Sequence, residues 1–141
     1  LAEKGEIEPA LATWQALTEN LPDFTIPANI LSSVAWDGCT HGFDQFPEAL
    51  QLKLLQAAEQ AVTLAPDKPG YRDNRGLCRA LHGDVTGAIE DFQAYVDWIA
   101  AQEEVDETMQ DQRQQRQAWI AALQAGENPF TEAVLTALRE E

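Results

Sequence analysis

The stretch YRDNRGLCRALHGDVTGAIEDFQAYVDW, Tyr71 to Trp98, decides the fold. Two helical patterns meet in it at one Gly-Asp turn, Gly83-Asp84. Gly76 lies midway along the first pattern. Ala88 opens the second, and Phe92 follows four residues later. Antiparallel helices approach most closely where side chains are small, so Gly76 and Ala88 are predicted to touch, with Phe92 filling the wider gap beyond. Val85, Ala88, Ile89, Phe92, Val96 and Ile99 share one face at helical spacing.

The same arrangement recurs upstream. Gly5-Glu6 is a turn, Ala10 and Trp14 repeat the small-x3-aromatic spacing, and Leu17 and Pro22 follow. Pro22 and Pro66 each close a unit, 44 residues apart. The unit between them is expected to hold one helix from about Ala28 to Thr40 and a second from Pro47 to Leu64, with extra length in His41–Phe46. In the next unit, Pro69-Gly70 opens a helix running to His82, since proline suits a first helical turn. A partner helix then runs from Val85 to about Ala101. Gln110 to Gln117 is almost all Gln, Asp and Arg, and is expected to be a solvated helical stretch. Trp119, Ile120 and Leu123 follow as an apolar face, and Gly126-Glu127-Asn128-Pro129 breaks the helix. Thr131 is placed to cap a last helix, with Phe130 and Leu135 as its staple. Val134, Leu135 and Leu138 are expected to cover the open end of the stack. No alternating β-branched run competes for a strand.

Through Gly5…Ala10-x3-Trp14…Pro22 and Gly76…Gly83…Ala88-x3-Phe92, the chain resembles the tetratricopeptide repeat family over roughly residues 1–102. That resemblance implies an all-α, tetratricopeptide-like array of helical hairpin repeats, an α-solenoid with C-terminal capping helices. The expected division is one domain over 1–141: a partial repeat at 1–24, an enlarged second repeat at 25–68, a third at 69–102 and a helical cap at 103–141. Arg72, Arg75 and Arg79 stand where the family usually has Trp, Leu and Tyr. The chain also looks like C-terminal repeat regions of large multidomain bacterial proteins. This implies an accessory role in holding a protein or peptide partner, inside a longer polypeptide. The absence of an initial Met points the same way.

Within such a fold the first helix of each pair lines a groove. The expected partner contacts are Tyr71, Arg72, Asn74, Arg75, Leu77 and Arg79, and the structural repeat positions are Ala10, Trp14, Gly76, Ala88 and Phe92. Arg72, Arg75 and Arg79 lie at i, i+3 and i+7 on one helix face. Two readings stand side by side. The arginines receive a carboxylate from an acidic peptide, or they pair with Asp73, Glu90, Asp91 or Asp97 and lock the repeat together. A structural spacer or self-associating module, and a sensor joined to a separate effector enzyme, are the alternative roles.

The 141 residues carry a formal net charge of −15 and a pI near 4.3. That balance argues against a nucleic acid partner and against an anionic membrane face, and it allows a basic partner. No apolar run approaches the ~20 residues of a membrane span. Cys39 and Cys78 are the only cysteines. Their apolar helical context predicts buried free thiols and a cytoplasmic setting. Cys39-x-His41 and Cys78-x3-His82 lack the spacing of known zinc modules, and no thiol-activating or oxyanion-forming pattern accompanies them. Neither a phosphate-binding loop nor HExxH occurs. No metal, cofactor or catalytic role is expected.

Overall fold

The computed structural model describes residues 26–140, and these contain helices and turns but no strand. Helix α1 spans Ala28–Thr40, α2 Glu48–Leu64, α3 Pro69–His82, α4 Val85–Ala100, α5 Glu107–Gln124 and α6 Glu132–Arg139. A short 3-10 turn, Phe43–Gln45, lies between α1 and α2. Ala10 and Trp14, and with them the partial repeat at 1–24, fall outside the described residues.

Local chemistry sets the helix ends. Pro69 opens α3, and Gly83 closes it at φ 97°, a left-handed conformation that costs glycine nothing. The Asp84 amide then donates to the Arg79 carbonyl at 2.8 Å. The Asp84 side chain caps the next helix by accepting from the Gly87 amide at 3.0 Å. This reversal turns the chain through a tight α3–α4 hairpin. Asp106 caps α5 through the Met109 amide, 2.8 Å, and Thr131 caps α6 through the Val134 amide, 3.3 Å.

Helices α1 with α2, and α3 with α4, form two consecutive hairpins that pack side by side, and α5 lies against α4. Each hairpin closes on a glycine. A Cβ on Gly76 would stand 2.9 Å from Phe92 Cε1 and 3.1 Å from Asp91 Cβ. A Cβ on Gly38 would overlap the Leu54 methyls, with Cδ1 at 2.7 Å. Both glycines precede their partner by the same number of residues, so Gly38 and Leu54 are the first hairpin's counterpart of Gly76 and Phe92. Ala88 is fully buried, and the three atoms nearest to a Cβ on Gly76 belong to Phe92 and Asp91.

Phe92 reaches beyond its own hairpin. Its ring centroid lies 5.2 Å from that of Trp119 on α5 and 6.1 Å from that of Phe130, and Trp119 and Phe130 are 4.9 Å apart. The aromatic cluster ties α4, α5 and the α5–α6 connection into one core with Leu54, Leu77 and Leu138.

Helix α6 packs on α1, where Arg139 Nε donates to the Thr40 carbonyl. Leu135 and Leu138 are buried in the common core. One expectation is corrected. In the Gln-rich stretch Arg116 is only 2% exposed. The face it shares with Trp119, Ile120 and Leu123 turns inward and carries the arginine with it.

Candidate functional site

The first helices α1 and α3, together with α5, line a cleft of about 410 Å³. From α1 come Asn29, Ser32, Ser33 and Trp36, from α3 Tyr71, Asp73 and Asn74, and from α5 Gln112 and Arg116. Asn74 Nδ2 donates to Ser32 Oγ at 2.8 Å, linking the two hairpins at the wall of the cleft. Tyr95 of α4 also borders the cleft, and its hydroxyl donates to Gln112 Oε1 at 3.0 Å.

A buried ion pair supports this surface from below. Arg116 Nη2 donates to Asp73 Oδ2 at 2.6 Å and Nε to Oδ1 at 3.1 Å. Its guanidinium also lies 4.6 Å from the Trp119 ring centroid and 5.5 Å from that of Tyr95. Burial pushes the Asp73 carboxyl above the usual carboxylate range. The Arg116 hydrogen bonds and charge pull it down, and the charge of Asp91 adds to the rise. Desolvation therefore outweighs the partner here. Arg116 occupies both carboxylate oxygens of Asp73, and its Nη1 donates to Gln115 Oε1, so that amides, hydroxyls and aromatic rings make up the rest of the cleft lining.

The sequence-predicted contact residues divide. Tyr71 and Asn74 line the cleft. Leu77 is 0% exposed and belongs to the core, so the expectation that it meets a partner is corrected. Arg72, Arg75 and Arg79 do share a face, and that face meets α4. Asp91, fully buried on α4, accepts from Arg75 Nε at 2.9 Å, Arg75 Nη2 at 2.7 Å and Arg79 Nη1 at 3.1 Å, with Arg72 Nε at 3.7 Å. The hydrogen bond to Asp91 holds the Arg75 guanidinium pKa above its ordinary value. Of the two readings of the arginines, this is the geometry of the locked repeat.

The residues that sequence reasoning missed include Asn29, Ser32, Ser33, Trp36 and the Asp73–Arg116 pair. A signal for Arg116 was present: it sits three residues before Trp119 and four before Ile120, hence on their face. Trp36 and Ser33 carried no such mark, because exposure to a cleft is set by the neighbouring hairpin.

The cysteines require a correction. Cys39 of α1 and Cys78 of α3 are not free thiols but a disulfide, with a Cα–Cα separation of 5.8 Å and both residues 0% exposed. Each sulfur is taken by the other, which removes both as metal ligands or nucleophiles. It also removes the ground on which a cytoplasmic setting was expected. Among the described residues, no helix is long and apolar enough to cross a membrane.

A larger cleft, about 730 Å³, lies at the other end of α3, between Ala80–His82, the 3-10 turn and α6. Phe43, Phe46, Phe130 and Leu135 line it but are themselves almost wholly buried. It offers a partner less apolar surface than its lining implies.

No family model matches the chain. Over 61 residues the chain is 38% identical to tetratricopeptide repeat protein 36 of Mus musculus, a stretch covering 35% of this chain and 33% of that protein. The chain thus spans about a third of the length of that relative. No solved structure matches. The likeness and the consecutive hairpins agree on an all-α, tetratricopeptide-like fold.

Proposed function

We propose that the chain is a non-catalytic interaction module that holds an extended or helical segment of a partner polypeptide in the cleft between α1, α3 and α5. The observation that carries this reading is the joining of Asn74 and Ser32 across two consecutive hairpins, beside a surface of amides and aromatic rings. A side-chain amide offers a donor and an acceptor together, the pattern an extended peptide backbone presents. With one amide hydrogen on Ser32, Asn74 keeps its Oδ1 as an acceptor for a partner's N–H. Trp36 and Tyr71 supply rigid contact area at low entropic cost. The formal charge of −15 favours a neutral or basic segment over an acidic one.

The contact set in this proposal is Asn29, Ser33, Trp36, Tyr71 and Asn74. A role inside a longer polypeptide belongs to the same proposal.

A photo-crosslinking amino acid placed at Ser33, in the cleft, and separately at Glu90, on the outer helix α4, tests this reading. The cleft position should yield a defined cross-linked polypeptide, and Asn74→Ala should reduce its yield. Cross-links from position 90 with none from position 33 would place the partner elsewhere and end the proposal.

A further inference from the structure

Helices α1 and α3 belong to different hairpins, and their relative placement sets the width of the cleft. Two bonds join them. One is the hydrogen bond from Asn74 to Ser32, at the cleft wall. The other is the Cys39–Cys78 disulfide, further toward the C-terminal ends of both helices and wholly buried. The 5.8 Å between their Cα atoms is a span a disulfide bridges without backbone movement. Around it the packing is tight. Gly38, next to Cys39, is pressed by Leu54, and Leu77, next to Cys78, is 0% exposed. Thr40 on the other side of Cys39 is held through its carbonyl by Arg139 of α6.

We propose that Cys39–Cys78 is a staple, made while the chain folds, that fixes the spacing of α1 and α3. The chain then reaches its partner-holding form only where thiols are oxidised. The second half of this inference rests on the proposed cleft; the first does not. Because no oxidant or reductant reaches a sulfur at 0% exposure without local opening, the bond forms before the core closes and is protected afterwards.

The oxidant is a disulfide, either of a dithiol oxidoreductase or of oxidised glutathione. One cysteine thiolate attacks it, forming a mixed disulfide and releasing one thiol. The second cysteine thiolate attacks the mixed disulfide at its own chain's sulfur, forming Cys39–Cys78 and releasing the second thiol. Two electrons pass to the oxidant, and the two protons end on the released thiols. Compartments that sustain this exchange are the secretory lumen, the bacterial periplasm and the cell exterior.

The full chain, refolded in a glutathione redox buffer, is denatured and its thiols counted with Ellman's reagent. Amide exchange is compared between the oxidised form, the form reduced in denaturant and refolded with reductant, and a Cys39→Ala/Cys78→Ala variant. No titratable thiol is expected in the oxidised form. At least tenfold faster exchange is expected in α1 and α3 of the other two, with α5 changed less. Two thiols titrating after folding in redox buffer would overturn the staple, as would equal exchange in α1 and α3 with and without the bond. The thiol count keeps the test decisive if the variant does not fold. A bond that forms and tightens both helices, in a chain whose position 33 cross-links no partner, would sink the cleft and leave the staple standing.

Discussion

Arg75 and Asp91 meet through two parallel hydrogen bonds, Nε to Oδ2 at 2.9 Å and Nη2 to Oδ1 at 2.7 Å, and the carboxylate they share with Arg79 is wholly buried. A fork-on-fork pair of this kind fixes the rotation of α3 against α4. Asp91→Ala removes the acceptor and leaves two guanidiniums facing a space that was anionic. Its expected cost is about 3–5 kcal/mol, read as a lower urea midpoint at unchanged slope. Arg72→Gln, at the exposed end of the same row, should cost about 1 kcal/mol or less. Equal effects of the two substitutions would show that Asp91 is not the hub.

The two helix crossings make a paired prediction. Gly76→Ala drives a methyl group into the Phe92 ring and Gly38→Ala drives one into Leu54. Each should cost about 1–3 kcal/mol through overpacking. Gly70→Ala is the control, since a Cβ there meets nothing within 4 Å. It should be neutral or stabilising by about 0.5–1 kcal/mol. Melting temperatures of the three variants check the order.

Asp73 predicts the sign of a pH dependence. Its folded-state pKa is raised above 3.8, so between that value and the raised one the folded chain binds more protons at this site than the unfolded chain. The contribution of Asp73 to stability is therefore largest at low pH and declines as pH rises through the folded-state value. Asp73→Asn has no such proton. The wild-type urea midpoint minus that of the variant should fall as pH increases from 3.8. A difference that grows with pH would mean that Arg116 wins over burial.

Phe130 closes the aromatic cluster with Phe92 and Trp119 although it lies in a loop. Phe130→Ala should open a cavity and cost about 3–5 kcal/mol. The emission of Trp119 should move to longer wavelength as water gains access, with the other tryptophans replaced by phenylalanine for the measurement. A small loss with unchanged emission would show that α6 is not held through this ring.

Among the described residues, the helices and the turns between them were legible in the amino-acid order because the forces that set them act within a few residues. Gly83 ends α3 by its own conformational freedom, Thr131 caps the helix it precedes, and the 3.6-residue rhythm marks the apolar face of α4. Tertiary structure alone decided which faces meet. The arginine row was legible as a row, yet only the packing of α3 on α4 aimed it at Asp91 rather than at the cleft. The union of Cys39 with Cys78, the burial of Arg116 on Asp73 and the return of α6 to α1 join residues 39, 43 and 99 positions apart. Contacts at such separations are selected by the shape and volume of the whole core, which no local spacing encodes.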